Sequence, residues 1–182
     1  MKTNVVSRSL HDVGLAAWFG GTLANAVALN KAAGAASDSR SAGAVANTGW
    51  DAWTPVNAAA IGAHLVGSVG QLSGNKSRIF SQKGVGAMSV VKTLITVAAL
   101  GATGYSRVLG RKVAKDTAVP AASGTESTVD TPLEVVRAQK KLSALQWVVP
   151  ALTGALIVLS AFAGEQQRPS QVRKGILGRF TR

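Results

Sequence analysis

The chain has 182 residues, with 20 Lys and Arg against 8 Asp and Glu and a formal net charge of +12. It contains no cysteine, which excludes a disulfide framework, a thiolate metal site and c-type haem attachment. The charges lie between long uncharged segments, because a charge at the centre of a bilayer costs about 2.5–3.5 kcal/mol. We therefore expect contact with anionic lipids rather than with nucleic acid.

Four segments are apolar over about the 20 residues that a helix needs to cross a bilayer. The first, second and fourth carry no Asp, Glu, Lys or Arg between their ends, and the third carries one, Lys92. We predict an all-α integral membrane protein that forms a single antiparallel four-transmembrane-helix bundle. Its spans are expected near residues 12–30, 53–72, 85–106 and 142–163.

Each predicted span carries polar or proline residues at steps of three, four and seven, which place them on one helix face. We call these faces the polar stripes and expect them to form the interior of the bundle. The stripes either hold the helices together by hydrogen bonds or line a functional cavity. Their members are His11, Trp18, Thr22 and Asn25; Asn57, His64, Ser68 and Gln71; Ser89, Lys92, Thr96 and Thr103; and Ser143, Gln146, Pro150, Thr153 and Ser160.

Depth along the helices selects candidate binding residues from these stripes. At about 1.5 Å per residue, His64 and Lys92 both lie about 12 Å inside the same end of the bundle. Lys92 either faces inward beside His64 or extends its stem to the nearby interface. Asn25, Asn57 and Gln146 form a second predicted layer, nearer the other end.

The first span also carries a short motif, in which His11 and Trp18 are separated by six residues and Gly20-Gly21 follow. This motif resembles the first helix of copper-resistance-D-like membrane proteins and of related small four-helix membrane domains. The resemblance implies copper tolerance or import, with His11 as a candidate metal ligand. The abundance of Ala, Gly and Val also resembles membrane proteins of actinobacteria.

Soft copper sites need several His, Met or Cys ligands, and this chain has two His and two Met. A haem held by two histidines is unfavourable if His11 lies at the membrane edge and His64 lies about 12 Å deeper. We therefore predict no metal and no other cofactor.

The remaining segments are predicted to lie outside the bilayer. Residues 110–130 are rich in small and turn-forming residues and are expected to be a flexible linker, with Thr131, Pro132 and Glu134 starting the last helix. Residues 165–182 form a basic tail that is expected to bind anionic lipid headgroups. Its candidate residues are Arg168, Arg173, Lys174, Arg179 and Arg182.

Trp50, Trp53, Tyr105 and Trp147 are predicted to share one membrane interface as an aromatic belt. Short basic segments favour a multi-pass protein of the cell membrane with both termini cytoplasmic.

No nucleotide-binding, protease or paired-carboxylate motif is present. The first functional hypothesis is a non-enzymatic accessory, assembly or scaffold subunit of a membrane complex, whose partners are the lipid bilayer and other membrane subunits. The alternative is a small carrier, or a protein that handles metals or protons, with a polar cavity between the helices.

Overall fold

The structure is a computed structural model that describes residues 4–82, 84–114 and 119–165. Three of its helices, at Val5–Ala33, Val85–Val113 and Leu133–Glu165, are long and apolar enough to cross a membrane. The chain is therefore a mostly helical membrane protein. The elements are α1 (Val5–Ala33), α2 (Ser39–Gly74), α3 (Lys76–Ser81), α4 (Val85–Val113), β1 (Ala121–Ser123), β2 (Glu126–Ser127) and α5 (Leu133–Glu165).

Helix α1 contains one π-helical turn, Asn25–Leu29, between two α-helical stretches. A π turn inserts one extra residue into the helical repeat and rotates everything that follows it. The inward position that α-helical spacing gives to Leu29 therefore passes to Asn30, which is only 3% exposed.

Helix α2 contains the second predicted span but is not among the three helices that are long and apolar enough to cross a membrane. Asn47, Asn57, Ser68 and Gln71 lower its mean hydropathy. It has 36 residues and is about 54 Å long at about 1.5 Å per residue, so it exceeds a hydrocarbon core of about 30 Å. Its N-terminus is capped by Asp38, whose carboxylate accepts hydrogen bonds from the backbone of Arg40 and Ser41.

Helices α1 and α2 run in opposite directions and approach closely through glycines. A Cβ on Gly14 would lie 2.5 Å from the carbonyl oxygen of Ala60, and one on Gly67 would lie 2.3 Å from the backbone nitrogen of His11. Only glycine permits this separation, because any side chain would collide with the backbone of the other helix.

Helix α1 also packs against α5, and α5 packs against α4. Helices α2 and α4 make almost no direct contact within the described residues. One ion pair joins them near one end, from Arg107 to Asp51 at 3.1 Å. The two helices are otherwise held apart by α1 and α5, which leaves a lateral space between them.

The described part of the predicted linker has a defined fold. Helix α4 continues to Val113, and β1 and β2 then form a small antiparallel hairpin. Thr131 closes the connection by donating a hydrogen bond to the carbonyl oxygen of Pro120 at 2.6 Å. The hairpin packs against the N-terminal half of α2, where a Cβ on Gly43 would collide with the carbonyl oxygen of Val119. We call this side of the molecule the hairpin end.

Candidate functional site at the histidine end

His11 lies at the opposite end of the molecule, which we call the histidine end. The predicted separation of about 12 Å in depth between His11 and His64 is wrong, because their rings are in contact. The side chain of His11 is buried between α1 and α2, and only 2% of the residue is exposed. Helix α1 begins at Val5, so His11 lies well inside it. The Nδ1 atom of His11 lies 2.7 Å from a carboxylate oxygen of Asp12, whose side chain is largely exposed.

His64 is placed directly against His11. The two ring centroids are 4.6 Å apart, and His64 is 1% exposed. Its Nδ1 lies 3.3 Å from the carbonyl oxygen of His11, which can only accept a hydrogen bond, so Nδ1 carries the proton. The Nε2 atom of His64 is buried and makes no hydrogen bond to any described residue. In the neutral ring this atom is an unsatisfied acceptor.

Lys92 completes the cluster from helix α4. Its Nζ lies 3.4 Å from His11 Nε2, in an orientation that fits donation from the ammonium to the ring nitrogen. Of the two orientations open to Lys92, the structure shows the inward one, with the side chain half-buried. The cluster of His11, Asp12, His64 and Lys92 is called the histidine site below.

Two cavities meet at the histidine site. One, of about 450 Å³, lies between α2 and α4 and is lined by His11, His64 and Lys92. The other, of about 480 Å³, lies between α1 and α5 and is also lined by His11 and Lys92, together with Asp12 and Arg8. The pair formed by His11 and Lys92 therefore separates two spaces that are open to their surroundings.

The donor set does not fit a metal ion. Among residues 4–82, 84–114 and 119–165, no group of three or more His, Asp or Glu side chains is placed to hold one. The ammonium of Lys92 lies beside the Nε2 lone pair that a metal would need, and two like charges at this distance repel. The arrangement is suited to protons and anions.

The hairpin end buries polar groups in a different way, around Asn30. The indole Nε1 of Trp50 donates to Asn30 Oδ1 at 2.9 Å, and Asn30 Nδ2 donates to Gln146 Oε1 at 2.8 Å. The backbone nitrogen of Gly124 donates to the carbonyl oxygen of Asn30, and Gln146 Nε2 lies 3.4 Å from Thr125 Oγ1. Asn30 thus ties α1, α2, α5 and the hairpin together.

The predicted binding residues divide between the two ends. His64 and Lys92 line one cavity, as their common depth suggested. Asn57 and Gln146 line a smaller cavity of about 240 Å³ at the hairpin end, whereas Asn25 is buried in the π turn of α1 and does not line it. The predicted lipid-binding residues Arg168, Arg173, Lys174, Arg179 and Arg182 lie outside the described residues.

Asn30 and Asp12 were not predicted as members of these sites. Asn30 lies five residues after Asn25, off the steps of three, four and seven, and no sequence signal marks the π turn. Asp12 was taken as the charged boundary of the first span. His11 was considered and then discounted on depth, although its place on the polar stripe of α1 was the correct signal.

The predicted aromatic belt is divided in the structure. Trp50 and Trp53 line the cavity at the hairpin end, and Gly21 leaves room for the Trp53 ring. Tyr105 accepts a hydrogen bond from Lys141 at 2.9 Å, and Trp147 is 51% exposed. Tyr105 and Trp147 therefore remain available to a membrane interface.

Comparison of the chain with models of protein families, with curated proteins and with solved structures found no match.

Proposed function

We propose that the chain is a multi-pass membrane protein in which α2 joins α1, α4 and α5 as a fourth span, with the polar stripes turned inward. The segment 53–72 supports this proposal because His64 is its only titratable group and α1 lies along it. Lys76, Arg78 and Lys83 in the connection after α2 favour cytoplasmic termini.

Within this frame we propose the second of the two functions that the sequence left open, a small carrier that handles protons at the histidine site. One observation carries the proposal, which is that His11 and Lys92 lie in contact where two cavities meet. A purely structural cluster has no need of a half-buried ammonium, because placing a charge in such a site costs several kcal/mol.

The contacts form a chain of proton-binding groups that joins the two cavities. A proton that passes from Lys92 Nζ to His11 Nε2 leaves a neutral amine and an imidazolium. The Nδ1 proton of that imidazolium is held by the Asp12 carboxylate at 2.7 Å, which stabilises the new charge. Asp12 is exposed and can exchange the proton with its surroundings.

The test is proton movement into phosphatidylcholine vesicles that contain the purified chain and an internal pH-sensitive dye. Lys92→Met preserves the length of the side chain and removes the ammonium, and we expect it to reduce proton flux at least about tenfold. His11→Gln should have a similar effect. Lys140→Met, which removes an exposed lysine at the hairpin end, is the matched control and should leave the flux unchanged. Equal flux from Lys92→Met and the unmodified chain would refute the proposal.

A second candidate function, an accessory subunit of a membrane complex, is favoured by two glycines of α4. Gly101 and Gly104 are exposed, and nothing lies within 4 Å of the position of an added Cβ. Small exposed residues permit another transmembrane helix to approach closely. Under this function a specific membrane protein should remain bound in mild detergent, and Gly101→Leu should release it, whereas a chain that purifies alone counts against it.

A further inference from the structure

The cavity between α2 and α4, which we call the α2–α4 groove, has an unusual distribution of charge. Arg78 and Lys92 both line it. None of the described residues that line it is an Asp or a Glu. A groove with two cations and no carboxylate has an excess of positive charge that favours an anion.

The rest of the groove is apolar. Leu65, Val69, Leu72, Val97 and Leu100 form much of its wall. Val69 and Val97 are more than half exposed, at 64% and 61%. Because α2 and α4 make almost no contact, the groove opens sideways to the region that lipid chains would occupy. A ligand that fits both features carries an anionic head and an apolar chain.

The unpaired Nε2 of His64 indicates which kind of anionic head group the groove would bind. His64 lines the groove, and its buried Nε2 has no partner among the described residues and can accept a hydrogen bond. A carboxyl group can share one proton with His64 Nε2 while its other oxygen accepts a hydrogen bond from Lys92. A sulfonate can accept from Lys92 but carries no proton at neutral pH, so it pairs with His64 Nε2 only if the ring itself takes up a proton.

The size of the groove limits how many acyl chains the ligand can have. At about 450 Å³, the groove is in the range of sites for small ligands, which is about 300–1,000 Å³. This volume suits one acyl chain, and a two-chain phospholipid would leave one chain outside.

We propose that the α2–α4 groove binds a single-chain, long-chain carboxylic acid, with the carboxyl group between Lys92 and His64 and the chain against Leu65, Val97 and Leu100. This inference rests on the proposed function, since it names the class of substrate that a proton-handling carrier would bind at the histidine site. Arg78, braced by hydrogen bonds to Asn75 and Gln82, would add a second positive charge that attracts the anion.

The experiment is photo-crosslinking of the full chain in phosphatidylcholine nanodiscs with a diazirine analogue of palmitate. We expect the label on residues of the groove wall, within 65–72 and 97–100. Oleate should displace it, oleyl alcohol should be at least about tenfold weaker, and acetate should have no effect. Lys92→Met should reduce labelling about tenfold, whereas Lys140→Met should not change it. Val97→Trp, which fills the groove without touching the charges, should also reduce labelling.

Three results would overturn the inference. These are labelling spread evenly over lipid-facing residues, labelling unchanged in Lys92→Met, and oleyl alcohol as effective as oleate. Displacement by acetate alone would show that the site binds only the head group and would overturn the acyl-chain part.

The vesicle flux assay, run without fatty acid, separates this inference from the proposed function. Loss of flux in Lys92→Met with non-specific labelling rejects the ligand and retains proton handling. Specific labelling with no flux rejects proton handling and retains the binding site.

Discussion

Asn30 at the hairpin end and His64 at the histidine end are both buried polar side chains, but they differ in how completely they are paired. At the hairpin end, both side-chain polar atoms of Asn30 have partners at 2.8 to 2.9 Å, from Trp50 and to Gln146. At the histidine end, Nε2 of His64 has no hydrogen-bond partner among the described residues, and Lys92 introduces a charge. Asn30 therefore has the form of a structural joint, and the cluster of His64 and Lys92 has the form of a site.

The difference shows how a buried polar residue can be interpreted. A buried group without a partner costs about 1–3 kcal/mol, so folding alone favours complete pairing of the kind seen around Asn30. His64 lies beside a cavity, so a ligand or a proton that binds there can offset the free-energy cost of its unpaired nitrogen. Variants at the two ends test whether Asn30 mainly stabilises the fold and whether Lys92 mainly handles protons.

The largest effect is expected where the backbone of α1 meets that of α2 at the histidine end. Gly67→Ala would place a Cβ 2.3 Å from the His11 backbone nitrogen, so the helices must separate, and we expect a loss of about 3 kcal/mol in unfolding free energy. Gly62→Ala on the same helix has nothing within 4 Å and is the control. Thermal unfolding in detergent measures both, and equal midpoints for the two variants would contradict the close contact.

The next effect tests the hairpin end. Asn30→Ala removes the acceptor of Trp50 and the donor to Gln146, and we expect a loss of about 2–3 kcal/mol because both partners stay partly buried. Asn47→Ala is the matched control, since the amide nitrogen of Asn47 makes no hydrogen bond to the described residues. Proton flux should persist in folded Asn30→Ala protein. If flux falls as it does in Lys92→Met, the two ends are not separate in function.

A smaller effect of opposite sign is expected at the histidine site. Lys92→Met replaces a half-buried charge with an apolar chain of similar length, and we expect a gain of about 1 kcal/mol in unfolding free energy together with the loss of flux. The same unfolding assay gives the sign. A clear loss of stability would mean that Lys92 serves the fold, as Asn30 does.

The smallest effect concerns Asp38, the N-cap of α2, which lies outside the predicted spans. Hydrogen bonds from Ser41 hold the pKa of Asp38 below its ordinary value of 3.8. A carboxylate with a lowered pKa in the folded state stabilises the fold above its ordinary pKa, and this contribution disappears as the pH falls through the folded value. Asp38→Ala should therefore lower the unfolding midpoint slightly at pH 7 and not at pH 2. Asp38→Asn, which caps without a charge, should change little between the two values of pH.

Much of this arrangement was accessible from the sequence through helical periodicity. The steps of three, four and seven placed His11, Trp18 and Thr22 on one face, and all three are buried in α1. Equal depth along the helices predicted that His64 and Lys92 would lie together, and both line one cavity. The prediction failed where the backbone departs from regular geometry, because a single π turn exchanges Leu29 for Asn30 and cannot be recognised from spacing alone.

The contact between His11 and His64 was not predicted from the sequence, because the expected depth of His11 was wrong. Depth was measured from the expected membrane edge, whereas the helices extend beyond that edge and pass each other at Gly67. The hairpin over 121–127 was also missed, because small and turn-forming residues are compatible with both a linker and a folded connection. Its fold depends on Asn30 and α2, which are distant in the sequence.

The sequence by itself determined that the chain is a helical membrane protein, because segregation of charge from apolar segments is a local property that a bilayer imposes. It also determined which face of each helix carries polar residues. Only the tertiary structure decided which of those residues meet, that α2 and α4 stand apart, and that one buried nitrogen of His64 has no hydrogen-bond partner among the described residues. These features depend on the distance and the rotation between helices. Glycine contacts and one π turn set both of them, and the periodicity of the sequence encodes neither.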